Sequence, residues 1–457
     1  MLFSSLLFIF QFLPVFFIIY YLSPIRFRNL ILFLASVFFY AWGEPRFVIL
    51  ILISILINYI AGIFIERYDR NEKIRVTILV LSIIYNIGTL MFFKYFNFII
   101  ENINYIFKGD ISFIDIPLPL GISFYTFQIM SYTIDVYRRD TKAERSYINL
   151  GAYLCMFPQL IAGPIVVYTQ VSKELRKRSY YLKDIEKGLR IFILGLGSKV
   201  LIANNVGGLW DDMAQIGYAN ISMPLAWLGL LSFSLQIYFD FNGYSLMAIG
   251  LGKMLGFDFP QNFNFPYISK SVTEYWRRWH ITLSTWFKEY LYIPLGGNRK
   301  GKLRTYINLF IVWSVTGLWH GASWNFIFWG IYFFVLLSLE KLFLKKWLEK
   351  NVILSRIYTI LAILLGWMIF AITELENIKI YFGRLFSFSI SEDWIYYLRN
   401  YGMILVIGIL FSTPFLKKWY DKQANKILCN ILLLVIFLLS IAYLVDAAYN
   451  PFLYFRF

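Results

Sequence analysis

The sequence predicts an all-α polytopic membrane protein, and three observations carry that reading. Hydrophobic residues make up 59% of the 457 positions and charged ones 15%, too apolar a balance for a soluble chain of this length. Apolar windows of about twenty residues, the length that crosses a hydrocarbon core, recur from end to end. Lys and Arg gather in every second loop between those windows, the positive-inside pattern of membrane proteins. The net charge of +16 therefore reads as orientation in a bilayer rather than as a nucleic-acid footprint.

Taken in order, the apolar runs fall at 2–22, 28–42, 47–65, 77–100, 117–137, 189–205, 224–252, 304–321, 323–340, 354–371, 398–416 and 427–446. The first begins without a basic leader region or a small-residue cleavage site, so it reads as a span rather than a signal peptide. Basic loops carry Arg26 and Arg28, then residues 67–75, 138–145, 173–190, 253–304, 341–356 and 417–426. The loops between them are poor in Lys and Arg: 101–116 holds only Lys108, and 205–222 holds none. Thirty-five basic residues fall on one side and six on the other, with Lys94 and Lys199 inside spans. About twelve crossings with both termini extracytoplasmic follow.

Two segments do not fit as crossings. Residues 148–170 are uncharged but flanked by basic loops on both sides, and Pro158, Gly163 and Pro164 interrupt any helix. A segment that enters and leaves on one face satisfies both facts. Residues 262–301 mix Arg277, Arg278, Lys288 and Glu289 with Tyr275, Trp276, Trp279, Trp286 and Phe287, which suits an interfacial or re-entrant helix. Irregular backbone at membrane depth survives only inside protein or along a cavity, so both segments point to a cavity open to the cytoplasm. No repeat, low-complexity tract or soluble linker divides the chain, which reads as one domain over 1–457. Cys155 and Cys429 sit in apolar runs and suggest neither a disulfide framework nor a thiolate metal site.

Chemistry concentrates around His320. The stretch Asn308 to Gly330 carries no Asp, Glu, Lys or Arg, yet holds His320 at its centre, a Gly321-Ala322-Ser323 break, and Trp319, Trp324, Asn325 and Trp329. An ionisable group at membrane depth is costly and marks a functional site with a partner nearby. An imidazole can take and return a proton near neutral pH, which suits activation of a hydroxyl toward an acyl donor. The plainer alternative is a neutral histidine bonded to a backbone carbonyl. His280, the only other histidine, lies in the more polar stretch EYWRRWHITLSTWF beside Arg277 and Arg278, where it could serve the site or anchor the interface. Asp240 lies deep in the run 224–252, with Asn242 and Tyr244 near it, and needs a partner; Lys199 in the neighbouring span is the candidate. Such a pair could equally be structural. Gln128 is a mid-span polar residue that could be a ligand or helix glue. Two histidines without an acidic cluster make no metal site, and no nucleotide-binding loop is present.

Five stretches resemble the membrane-bound O-acyltransferase (MBOAT) superfamily: PLGISFYTFQIMSYTIDVYRRD (119–140), FPQLIAGPI (157–165), YFDFNGYSLMAIGLGKMLGF (238–257), FNFPYISKSVTEYWRRWHITLSTWFKEYLYIPLGGNRKG (263–301) and LWHGASWNFIFWG (318–330). Within it they are most similar to the bacterial branch typified by the membrane subunit of alginate O-acetylation, as is the closing YNPFLYFRF (449–457). The first hundred residues match in hydropathy alone. The resemblance implies helices ringed around a thinned centre with a funnel or tunnel, a motif-bearing core near 117–340, and no bound cofactor. It places His320 at the family's catalytic histidine and His280 at its second characteristic histidine. Asp240, Asn242, Trp319, Trp324, Asn325, Arg277, Arg278 and Gln128 are then expected to support the site or bind donor. It also implies an activated acetyl group, with acetyl-CoA as the expected donor, arriving from the cytoplasm. An extracytoplasmic partner of the SGNH type would complete transfer to a polysaccharide in the envelope of a bacterial cell. Two other readings share parts of this pattern: D-alanyl transfer to teichoic acid from a carrier-protein thioester, and, from a different class, a polysaccharide-precursor transporter. The transporter reading lacks the internal pseudo-symmetry of many transporters. A purely structural anchor would leave both histidines unexplained.

Overall fold

Each predicted span coincides with helix in the structure, a computed structural model that describes residues 1–161, 163–423, 426–446 and 453, and no strand occurs among these residues. Among the described residues, eight helices are long and apolar enough to cross a membrane: Ile25–Gly43, Pro45–Arg67, Glu72–Phe107, Leu182–Ile216, Trp324–Leu348, Val352–Ala371, Asp393–Phe411 and Ile427–Asp446. The other four predicted spans fall on helices that are shorter or more polar: Phe8–Leu22, Ile122–Arg138, Met223–Met254 and Lys302–His320. The protein is an all-α, multi-span membrane protein. Its helices gather into two compact units, Met1–Phe192 with Met247–Pro260, and Ile193–Leu246 with Gln261–Phe457.

In the first unit, polar side chains tie apolar helices together where the hydrophobic effect between helices is weak. The Asn86 amide donates to Asn58 Oδ1 at 2.8 Å, the Asn58 amide returns a bond to Asn86 Oδ1 at 3.2 Å, and the Ser82 hydroxyl donates to Asn58 Oδ1 at 2.9 Å. The segment 148–170 is not one helix. Tyr147–Cys155 ends before Met156, and a single turn, Phe157–Leu160, follows before the chain extends into Tyr168–Arg176. The helix is interrupted as predicted, with Gly163 and Pro164 in the non-helical stretch after Leu160; Pro158 itself sits in the first turn of the second helical piece, where its missing N–H costs nothing. The irregular backbone is buried and supplied with partners. Ser36 Oγ accepts the Phe157 N–H at 3.1 Å, and the Tyr153 hydroxyl donates to the Val166 carbonyl at 2.9 Å. Membrane-depth backbone survives on such terms.

In the second unit, Lys302–His320 and Trp324–Leu339 form a tight hairpin about the Gly321-Ala322-Ser323 break. Gly317 and Gly330 make the close approach possible: a Cβ on Gly317 would strike the Phe326 carbonyl, and one on Gly330 the Trp313 carbonyl. The stretch 262–301 forms two short helices, Val272–Arg278 and Ile281–Phe287, broken at Trp279-His280 and continued by a wider turn, Lys288–Tyr292.

The predicted Lys199–Asp240 partnership is present in this unit. Lys199 Nζ lies 2.5 Å from Asp240 Oδ1, with both side chains buried. Two local features bring them together. Lys199 lies in a π-helical turn, Ser198–Ala203, and Gly243 leaves no Cβ to strike the Gly195 carbonyl or the Lys199 backbone. Asn204 Oδ1 accepts a second bond from Lys199 at 2.9 Å, and the Leu453 N–H donates to Asp240 Oδ2 at 2.8 Å. Of the closing stretch 449–457, Leu453 alone is among the described residues.

Candidate active site

His320 is the last residue of Lys302–His320, held there because Gly321 turns the chain into extended backbone. It is buried, and aromatic rings enclose it: Trp319 at 5.0 Å, Trp329 at 4.9 Å and Phe370 at 5.2 Å between ring centroids, all near edge-on. Trp276 packs on Trp329 at 5.4 Å and extends the box. Such walls exclude water and strengthen electrostatic interactions inside them. The carbonyl end of a helix also favours positive charge, which an imidazole acquires as it takes a proton.

His280 joins the same cluster through Trp319, whose ring lies 6.0 Å from the His280 ring and 5.0 Å from the His320 ring. Phe241 packs edge-on against it at 4.7 Å. His280 itself has φ 42° and ψ 55°, a left-handed conformation that costs a non-glycine residue about 1–2 kcal/mol. Asn262 holds that turn: its carbonyl accepts the Ile281 N–H at 2.9 Å, and its side-chain oxygen meets His280 Nδ1 at 3.0 Å. His280 lies outside the spans, and burial pushes its imidazole below its ordinary value, favouring the neutral form.

A third residue ties the two histidine-bearing elements together. Glu340, buried at the end of the His320 hairpin, accepts the Val272 N–H at 2.6 Å, the Thr273 N–H at 2.9 Å and the Thr273 hydroxyl at 2.6 Å. Its carboxylate caps the N-terminus of Val272–Arg278, the helix that leads into His280. Glu340 left a trace in the sequence, a lone carboxylate closing the apolar run 323–340. Asn262 and Phe370 left none, because each reaches its histidine only through the folded chain.

The other predicted site residues divide. Trp319 sits between the histidines. Asn325 is fully buried and structural in its contacts, its amide donating to the Ile369 and Phe370 carbonyls at 3.2 Å each, which sets Phe370 against His320. Trp324 is 45% exposed and pairs with Phe328 at 6.1 Å. Arg278 is engaged by Glu274 at 2.8 Å and donates to the Asn264 carbonyl, whereas Arg277 is exposed. Asn242 is half-buried next to the Lys199–Asp240 pair in sequence. Gln128 lies in the first unit, fully buried, its amide oxygen and nitrogen without a hydrogen-bond partner among the described residues. No group of three His, Cys, Asp or Glu able to hold a metal ion occurs among the described residues.

Residues 141–378, which contain both histidines, match the family described as MBOAT, membrane-bound O-acyltransferase family. The chain belongs to that family. It is 39% identical, over all of both chains, to a probable alginate O-acetylase AlgI of Pseudomonas putida. A peptidoglycan O-acetyltransferase of Helicobacter pylori is 38% identical over 82% of this chain and 78% of its own. A teichoic acid D-alanyltransferase of Bacillus subtilis is 28% identical over 55% of this chain and 68% of its own. This MBOAT chain is therefore an O-acyltransferase, and the buried histidine pair is its candidate active site.

Proposed function

We propose that this enzyme takes an acetyl group from a cytoplasmic donor, acetyl-CoA, and moves it across the membrane toward O-acetylation of a cell-envelope polysaccharide. The observation that carries the reading is His320, a buried imidazole at a helix terminus inside an aromatic box, one tryptophan away from a second buried histidine. His320 acts as general base on the accepting hydroxyl, which attacks the acetyl carbonyl. His280, on the basic-aromatic segment predicted to face the cytoplasm, serves the donor. Arg277, which is exposed, attracts the donor's phosphates on this reading, a task that the Glu274-paired Arg278 serves less well.

The extended similarity to O-acetylases favours acetyl over D-alanyl transfer, because the D-alanyltransferase relative matches at lower identity over about half of this chain. On this reading the chain works as one domain in the bacterial cytoplasmic membrane, with twelve crossings and both termini outside. An extracytoplasmic SGNH-type partner delivers the acetyl group to the polysaccharide.

The test is acetyl transfer by purified variants, with thermal melting as the control for folding. Gln roughly fills the volume of His but cannot take and return a proton. His320→Gln is expected to melt like the wild type and to lose about a hundred- to ten-thousand-fold in rate. His280→Gln is expected to act more on the KM for donor. Wild-type turnover by a folded His320→Gln enzyme overturns the assignment.

A further inference from the structure

The hydrogen bonds around Asn262 fix which nitrogen of His280 carries the proton. Asn262 Oδ1 lies 3.0 Å from His280 Nδ1, 2.9 Å from the Thr282 hydroxyl and 3.4 Å from the Thr282 backbone nitrogen. A backbone N–H can only donate, so the amide atom facing Thr282 is the oxygen; turned over, its NH2 would face another donor. An amide oxygen can only accept. His280 Nδ1 must therefore be the N–H of that pair, and in a neutral imidazole the lone pair is then on Nε2. The arrangement is rigid. Asn262 is buried, the Asn262 carbonyl also holds the Ile281 N–H, and His280 is fixed in its left-handed turn between these two bonds.

We propose that Asn262 is a positioning residue that locks His280 as the Nδ1–H tautomer, so that His280 meets the reacting groups through an Nε2 lone pair. This rests on the acyl-transfer reading and deepens it. A neutral His280 of this tautomer accepts a proton or hydrogen bond at Nε2, as from a hydroxyl or a thiol, and cannot donate one there to the acyl carbonyl. It is cast as an acceptor, and any neutral donor toward the carbonyl must come from another group.

The chain has only two histidines, which makes the tautomer directly measurable. Full-length protein with 15N-labelled histidine, in membranes at neutral pH, gives two imidazoles in solid-state NMR, and the His320→Gln spectrum leaves His280 alone. The expected result is a protonated Nδ1 and an unprotonated Nε2 for His280. A His280 found with its proton on Nε2, or as the imidazolium, overturns the proposal, whatever the activity of the His320 variant. Asn262→Asp keeps an acceptor at Nδ1 but adds negative charge. It should hold the same tautomer in the neutral form and move the acid limb of the activity profile upward by about 1–3 pH units, because a nearby carboxylate stabilises the imidazolium. Asn262→Val removes the acceptor and should allow the Nε2–H tautomer with a loss of turnover. A folded Asn262→Val protein that keeps the wild-type tautomer also overturns the assignment. If that variant does not fold, the wild-type and Asn262→Asp spectra still decide the matter.

Discussion

At the scale of single residues, polar atoms in this chain are costly and their neighbours show what each one is for. His320 is enclosed by rings and stands at a helix end, so replacing it should remove chemistry and leave the scaffold. The predicted hundred- to ten-thousand-fold loss corresponds to roughly 3–5 kcal/mol of transition-state stabilisation. Gln128 tests the same logic from the other side. Its amide is fully buried in the first unit and lacks a partner among the described residues, a state that costs about 1–3 kcal/mol relative to a satisfied group. Gln128→Leu should therefore raise the melting temperature, and if Gln128 serves the substrate it should lower acetyl transfer as well. A destabilised Gln128→Leu protein would show that the amide does have a partner in the folded state. Both residues were legible in the sequence as polar atoms at span depth. Asn262 was not, because nothing in its local sequence says that its side chain will reach His280.

Among the elements, breaks matter more than helices. The hairpin about Gly321-Ala322-Ser323 and the turn at Trp279-His280 place each histidine where regular helix stops, and Glu340 holds the two pieces together. The sequence located the Gly321-Ala322-Ser323 break, but read 262–301 as a single interfacial or re-entrant helix and did not foresee the turn at Trp279-His280. It expected Pro158, Gly163 and Pro164 to interrupt any helix over 148–170; the helix is interrupted there, although Pro158 itself opens a turn, since proline is disfavoured inside a helix but not at its start. The Lys199–Asp240 pair was deduced from the cost of a lone buried charge, and the 2.5 Å contact agrees. Asp240→Asn should destabilise the protein by about 3–5 kcal/mol by leaving the Lys199 charge buried without its counter-ion. Adding Lys199→Met should recover much of that in a melting experiment. A double variant no more stable than Asp240→Asn would mean that the two charges are not coupled in the folded protein.

For the whole molecule, orientation is the open quantity, and it can be read from outside the cell. The loop charges predict Asp211 and Glu392 outside and Lys346 inside. With native Cys155 and Cys429 both buried, cysteines introduced at those three positions can be labelled against a quiet background. An impermeant thiol reagent applied to intact cells should modify Asp211→Cys and Glu392→Cys and spare Lys346→Cys until lysis. Labelling of Lys346→Cys without lysis would reverse the topology and with it the side from which the donor arrives.

What the sequence determined by itself was everything dictated by transfer between water and lipid. The cost of exposing backbone and charge to hydrocarbon made apolar runs into helices, set where they could break, and required Asp240 to have a partner. These are local energies, summed over windows of about twenty residues, and they can be read along a chain. Tertiary structure alone decided which rings enclose His320, that Trp319 lies between the two histidines, and that Asn262 and Glu340 hold the turn and the helix start. Hydrogen bonds and ring contacts act over a few ångströms between residues far apart in the chain. Their pairing depends on how helices pack, and close approaches such as Gly317 against Gly330 settle that packing only once the chain has folded.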